Sequence, residues 1–355
     1  MQSDRENLIR QSPGLLRRVF SAGKTLLQAV YLHCGYVGSR DLLLSKLGRS
    51  RAVVLYYHRI GERDLLTKPV EEFRRDLIYL KRKYECITLN ELCERLRQGT
   101  PLKRRTAVVT FDDGYRDNYT VAMPVLQEVG IPATFFVSTG FIGTGREFPH
   151  DEEIKSESET PSAERQSFLK LTWDDLRAME RAGFEIGSHT VNHTDLGVAD
   201  AETIARELKE SLMILNRELG TRPRAFAFPW GNPENIPAAA FKSVADAGYY
   251  TSVSAYGGSN TRGSNPLHIQ RIDAGNGRMS WLALRARIAG FDPNYLALKL
   301  NGKATAVVEA SFESMSGNEE HSTTNAARSS NSSGGASESN KTHAATGEKV
   351  SSTAA

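Results

Sequence analysis

The sequence predicts an α/β fold, with a largely parallel sheet closed or nearly closed into a barrel of about seven strands. Apolar, β-rich runs alternate with amphipathic helical stretches, Gly, Pro or polar turns bound each run, and the strand count suits a barrel better than an open sandwich. The strands read as 52–57, 106–111, 133–137, 184–188, 225–228, 250–254 and 268–272. Helical periodicity fits 71–83, 89–97, 119–129, 172–181, 201–219 and 237–247. In such a sheet the reactive side chains stand just beyond the C-terminal strand ends. The polar stretch 143–170 is too long for a plain connection and reads as a surface insertion or a lid.

Composition bounds the rest. A chain of 355 residues, 39% hydrophobic and 25% charged, can bury a sizeable core as one large domain or two smaller ones. A net charge of +3 is too mild and too evenly spread to point to nucleic acid. Cys34, Cys86 and Cys93 have neither metal-like nor secreted spacing, so they read as reduced thiols. No run reaches the ~18 to 20 apolar residues of a spanning helix, and the start, MQSDRENLIRQSPG, is too polar and acidic for a signal peptide. The expected location is cytoplasmic or peripheral at a membrane.

Between Leu15 and Leu32 the apolar residues Leu16, Val19, Phe20, Leu26, Leu27, Val30 and Tyr31 interleave with Arg17, Arg18 and Lys24. This is the pattern of a basic amphipathic helix. Packing against the domain is the preferred reading, and peripheral contact with a membrane surface the alternative. From about Gly302 the chain turns to Ser, Thr, Asn, Ala, Gly and Glu, too poor in large apolar side chains to offset ordering entropy. A disordered tail is expected there, and His321 and His343 within it receive no role. The chain thus divides into an N-terminal helical segment (1–50), a catalytic domain (51–300) and a tail (301–355).

One short stretch raises a chemical question. Thr110-Phe111-Asp112-Asp113-Gly114 sets two carboxylates side by side where a strand ends. Adjacent like charges at a buried strand mouth repel and lose hydration unless a cation sits with them. On the same rim fall His58 after the first strand, His189 and His193 after the fourth, and the Phe-Pro-Trp-Gly stretch ending at Gly231 after the fifth, preceded by Arg224. Two histidines four residues apart plus a carboxylate from another strand make a set that holds a divalent metal with open positions. Asp113 as ligand leaves Asp112 free to take a proton from a water whose pKa the ion lowers. Arg224 is the expected partner keeping Asp112 ionised.

Three stretches, TFDDG at 110–114, GSHTVNH at 187–193 and RAFAFPWG at 224–231, resemble in order and spacing the first three motifs of the polysaccharide deacetylases, carbohydrate esterase family 4, including the nodulation-type chitooligosaccharide deacetylase homology domain. The flanks VLYYHRI, ATFFVSTGFIG and LTWDDLRAMERAGFEIGSHT are similar too, so the resemblance covers roughly residues 50 to 275. It implies a distorted (β/α)7-type barrel that removes N-acetyl groups from amino sugars of a glycan. By position it makes Asp113, His189 and His193 the metal ligands, Asp112 the base and Arg224 its orienting partner. Tyr115 would offer its backbone N–H to the oxyanion, and Pro229 and Trp230 would line the sugar groove. The expected ion is Zn2+, with Co2+, Ni2+ or Mn2+ as alternatives.

The sequence departs from the family in lacking an Asp-x-x-Asp-Trp motif, and its last strand offers His268, Arg271 and Asp273 where a general acid would stand. His58 is the preferred proton donor and His268 the runner-up. The expected function is metal-dependent N-deacetylation of a surface or exopolysaccharide, or of its precursor. A non-catalytic glycan-binding protein and an amidase acting on a small nitrogen compound are the alternatives.

Overall fold

The computed structural model describes residues 14–61, 66–151, 168–221, 223–275 and 279–313, with side chains from residue 22 onward. The tail beyond 313 with His321 and His343, the side chains of Arg17 and Arg18, and residues 152–167 of the predicted insertion lie outside the described residues.

Seven strands follow one another across the sheet in the order β10, β1, β5, β6, β7, β8, β9. They are β1 (Arg51–Tyr57), β5 (Arg105–Phe111), β6 (Ala133–Val137), β7 (Glu185–Ser188), β8 (Ala225–Ala227), β9 (Thr251–Val253) and β10 (Asn260–Thr261), all paired in parallel except β10 on β1. Two short strands that sequence periodicity could not reveal, β4 (Glu85–Cys86) and β11 (Ile272–Asp273), add to β5 and β1. A separate two-stranded sheet joins β2 (Arg59–Gly61) to β3 (Thr67–Pro69).

Strand alternation sorts the side chains into two cores. Val53, Leu55, Tyr57, Val109, Phe111 and Phe135 face the surrounding helices, meeting Phe73, Leu77, Leu126, Leu176 and Met179. Ala52, Val54, Val108, Phe136, Ala227 and Val253 face the interior, joined by Leu89, Leu92, Cys93 and Leu96 of the helix Leu89–Arg97. Phe111 stacks between Tyr57 at 5.4 Å and Phe135 at 4.7 Å, fully buried on the helical side. Its removal would cost about 3 to 5 kcal/mol. The residue after it, Asp112, therefore continues the inward-facing row of Val108 and Thr110.

Local signals start and stop the helices as expected. Thr172 and Asp175 form a reciprocal capping box ahead of Trp173–Arg181, Asp200 caps Ala201–Leu219, and Gly220 at φ +71° ends it.

The predicted strand 268–272 is corrected. Ile269 bridges Val253, whereas Ile272 and Asp273 pair with Leu55 and Tyr56, so residues 269–273 cross from the last strand to the first and close the seam. The tail boundary moves as well. Residues 303–313 are helical and bury Ala304 and Val307 in a core with Phe228, Phe241 and Tyr256. At the other end, helices Gly14–His33 and Tyr36–Lys46 dock on the domain: the Tyr31 hydroxyl donates to Ala289 O at 3.0 Å, and buried Asp41 pairs with Arg105 at 3.1 Å. Leu26, Leu27, Val30, Leu42, Leu43 and Leu47 stay exposed on them.

His268 is buried with Nε2 2.7 Å from the Tyr256 hydroxyl, and is pushed by burial from an ordinary value near 6.5 down to about 4. The unfolded chain therefore gains a proton below pH 6.5 that the folded chain refuses, and this part of the stability is lost as pH falls from 6.5 to 4. At about 1.4 kcal/mol per pH unit the loss approaches ~3 kcal/mol over that window. Urea melts of the parent and of His268→Gln at several pH values check this. The variant is expected to flatten the dependence by that amount, and parallel curves would remove His268 as its source.

Candidate metal and catalytic site

The site grows from the C-terminal ends of β1, β5, β7 and β8. At β5 the Asp112 N–H still donates to Tyr57 O at 2.9 Å, extending the ladder one residue and holding the Asp112 side chain on the interior face. Asp113 then takes a left-handed φ of +74° and Gly114 follows at +85°. This turn lets two neighbouring carboxylates serve different places. Among the described residues the non-glycine residues at positive φ are Asp113, Thr190, His193 and Trp230, all on this rim. Such conformations cost of order 1 to 3 kcal/mol each and persist where surrounding bonds fix them.

Those bonds are visible at the histidine loop. Glu207, buried on the inner face of Ala201–Leu219, accepts the N–H groups of Val191 and Asn192 at 2.8 and 3.0 Å and the Asn192 side-chain amide at 2.7 Å. The loop is thereby tied to a helix. His189 donates its Nδ1–H to Ala227 O at 2.8 Å, which leaves the Nε2 lone pair facing the site.

Asp113 Oδ1 lies 3.4 Å from His189 Nε2 and 3.3 Å from His193 Nε2. Asp113, His189 and His193 are all buried and form a group that can hold a metal ion. Neither carboxylate oxygen of Asp113 has a hydrogen-bond partner. A buried carboxylate in that condition, facing imidazole nitrogens, fits a divalent cation. Burial works against its ionisation, but His150, His189 and His193 outweigh it and hold the carboxyl well below the usual range. For His193 burial dominates and lowers the pKa, favouring the neutral imidazole a metal requires.

Asp112 is held by Arg271, not by Arg224. Arg271 donates from both terminal nitrogens to the two Asp112 oxygens at 2.7 Å each, and from Nε to Ser254 O at 2.7 Å. Its guanidinium is wholly buried and lies 4.8 Å over the Tyr56 ring. Burial opposes the Asp112 charge, yet Arg271 overcomes it and keeps the carboxyl below its ordinary value. Arg224 is exposed, with its guanidinium 4.8 Å over Tyr250. The reason is directional: Arg224 precedes β8 and so stands at the strand's entry end, whereas the rim lies at its exit.

The remaining expected residues divide. His58 follows β1, half-buried, edge-on to Tyr56 at 5.6 Å, and close enough for its charge to lower the pKa of both aspartates. His268 lies instead in the core of Phe241 and Tyr256. Trp230 is 45% exposed and meets His193 edge-on at 5.4 Å, while Pro229 is buried beneath it. Tyr115 is fully buried, so what it can offer a substrate is backbone. Sequence reasoning missed His150, whose Nε2 lies 3.4 Å from Asp113 Oδ2, and Glu207. A carboxylate in the apolar stripe of Ile204, Leu208 and Leu215 was the available signal for Glu207.

Part of the chain is similar to known proteins. Residues 99–252 match the sequence profile of the polysaccharide deacetylase family. A polysaccharide deacetylase of Bacillus subtilis is 27% identical over 196 residues, covering 54% of this chain and 60% of the relative. The poly-beta-1,6-N-acetyl-D-glucosamine N-deacetylase of Escherichia coli is 33% identical over 110 residues, 31% of this chain and 15% of the relative. This chain thus spans less than two thirds of either protein. Among solved structures, a Streptococcus pyogenes deacetylase superposes with a TM-score of 0.55 at 23% identity, covering 68% of this chain and 99% of that one. IcaB from Ammonifex degensii gives 0.52 at 22%, with 68% and 97% covered. At those identities the structural likeness is one of fold. The profile match and the ordered motifs both fall within residues 99–252, so the stretch that carries this site matches the polysaccharide deacetylase family.

Proposed function

We propose that this chain is a metal-dependent hydrolase that removes N-acetyl groups from amino sugars of a surface or exopolysaccharide, or of its precursor, and releases acetate. The observation that carries the reading is a carboxylate locked by Arg271 beside a second, hydrogen-bond-free carboxylate facing two imidazoles. Asp113, His189 and His193 hold the ion, for which we favour Zn2+ over Co2+, Ni2+ or Mn2+. When bound, it supplies Lewis acidity toward the amide carbonyl and makes a nearby water more acidic.

The chain's own residues do the rest. Asp112, kept ionised, accepts the proton of the attacking water, and Arg271 fixes the direction of its lone pairs. The Tyr115 N–H, just past the Gly114 turn, receives the developing oxyanion. His58 delivers the proton to the leaving sugar nitrogen, so that water and amide become amine and acetate. Trp230 presents an exposed indole face for a pyranose ring, and Pro229 shapes its loop. The exposed leucines of the N-terminal helices support peripheral contact with a membrane surface, while no described helix is long and apolar enough to cross one.

The purified protein, loaded in turn with Zn2+, Co2+, Ni2+ and Mn2+, is expected to release acetate from N-acetylglucosamine oligomers. Acetate from none of a panel of acetylated amino sugars, with turnover of small amides instead, overturns the glycan reading.

Removing the acid–base function and removing a ligand should differ in kind. Asp112→Asn keeps the ion and slows turnover ~10² to 10⁴-fold. Asp113→Asn and His193→Ala lose metal as well, and excess metal restores part of the Asp113→Asn rate. Bound-metal analysis beside acetate release decides it, and equal metal loss in both Asp variants would reverse the assignment.

The two arginines give a second comparison. Arg271→Met leaves the buried Asp112 charge without its partner and is expected to depress turnover and to cost ~3 to 5 kcal/mol of stability. Arg224→Ala should stay within ~0.5 kcal/mol of the parent, as a surface change does. Thermal melts and acetate release on both proteins test this; loss of turnover in Arg224→Ala alone would restore Arg224 to the site.

A further inference from the structure

A buried polar chain leads away from the metal-ligand carboxylate. Lys170 Nζ donates to Asp151 Oδ2 at 2.9 Å and to Phe168 O at 2.8 Å, and the Phe148 N–H donates to the same Asp151 oxygen at 2.8 Å. The Tyr115 hydroxyl donates to Asp151 Oδ1 at 2.5 Å. His150 Nε2 lies 3.0 Å from that hydroxyl and 3.4 Å from Asp113 Oδ2. Asp151 and Tyr115 are wholly buried, and Lys170 lies 4.3 Å over the Tyr115 ring.

The chain has a fixed direction. Lys170 can only donate and an ionised Asp151 can only accept, so the single Tyr115 proton goes to Asp151. The Tyr115 oxygen is then left as an acceptor. His150 Nε2 must carry a hydrogen to satisfy it, and the same nitrogen stands 3.4 Å from Asp113 Oδ2. An Nε2 that carries hydrogen cannot ligate a metal, so His150 is not a third imidazole ligand. The two Asp113 oxygens consequently face different imidazoles: Oδ1 those of His189 and His193, Oδ2 that of His150.

We propose that His150 is a positioning residue of the metal centre, which holds Asp113 Oδ2 so that Oδ1 alone is presented to the ion, and that Lys170, Asp151 and Tyr115 fix the proton it uses. This rests on the reading of Asp113, His189 and His193 as ligands. Its physical basis is that a carboxylate binding through one oxygen leaves the other buried, and outer hydrogen bonds to such ligands govern metal affinity. It also gives the inserted stretch 143–170 a task, because His150 and Asp151 come from one end of it and Lys170 from the other.

The test is Zn2+ affinity of the full chain, measured by competition with a chromophoric chelator and without substrate, so that it does not depend on which amide the protein hydrolyses. His150→Ala is expected to bind Zn2+ ~10 to 100-fold more weakly. His150→Gln, whose side-chain amide can donate from a similar place, should recover much of that loss. Tyr115→Phe should weaken binding less, and adding it to His150→Ala should weaken it no further. Melting of the metal-free proteins checks that each variant is folded; should His150→Ala unfold, the Gln and Phe variants carry the comparison. An affinity in His150→Ala within about twofold of the parent, or no gain from Ala to Gln, overturns the proposal, since losing a hydrogen bond behind a metal ligand costs ~10-fold or more. His193→Ala separates the two readings: unchanged Zn2+ affinity there refutes the ligand set itself.

Discussion

The pairing of Asp112 with Arg271 is the interaction on which the site depends. Arg271 is among the largest fully buried side chains described, and a lone guanidinium or carboxylate at that depth would be untenable. Each therefore requires the other. Because Asp112 ends β5 and Arg271 lies in the crossing from β9 to β1, the pair also ties the interior of the sheet to its seam. Closure of the barrel and pairing of the Asp112 carboxylate are one event. Tyr56 and Phe136, whose rings flank the guanidinium, add apolar walls that strengthen the pairing by excluding water.

Around this pair the rim is built from positions that depart from regular backbone. Strand alternation would send Asp112 inward and Asp113 outward, which is where the helices pack. The left-handed turn at Asp113 cancels that consequence and returns its carboxylate to the rim. The same device recurs at Thr190 and His193, where the helix-borne Glu207 holds the loop. Metal-ligand geometry is thus imposed from the scaffold, not stored in the loops.

Much of this was legible in the sequence, for definable reasons. The interior strands announce themselves by short apolar runs, and the double aspartate and spaced histidines by chemistry too costly to place at random. The partner of Asp112 was not legible. Arg224 and Arg271 are equally suitable by type, and choosing between them needs the sheet's closure, a contact between residues 159 apart. His150 was hidden because it sits in a polar stretch with no periodicity, among charges that look solvated. The helix over 303–313 escaped because the composition of the whole tail masks the spacing of Ala304, Val307 and Ser311, which are buried on one face.

The position of Arg271 late in the chain has a consequence for biosynthesis. Domains generally fold as units during synthesis. Asp113, His189 and His193 all leave the ribosome before Arg271 does, and so does the helix that holds the histidine loop. Until Arg271 has emerged, Asp112 lacks its counter-charge and the seam stands open, so the domain cannot be completed before that point. The structure is completed last, by the few residues that close the barrel.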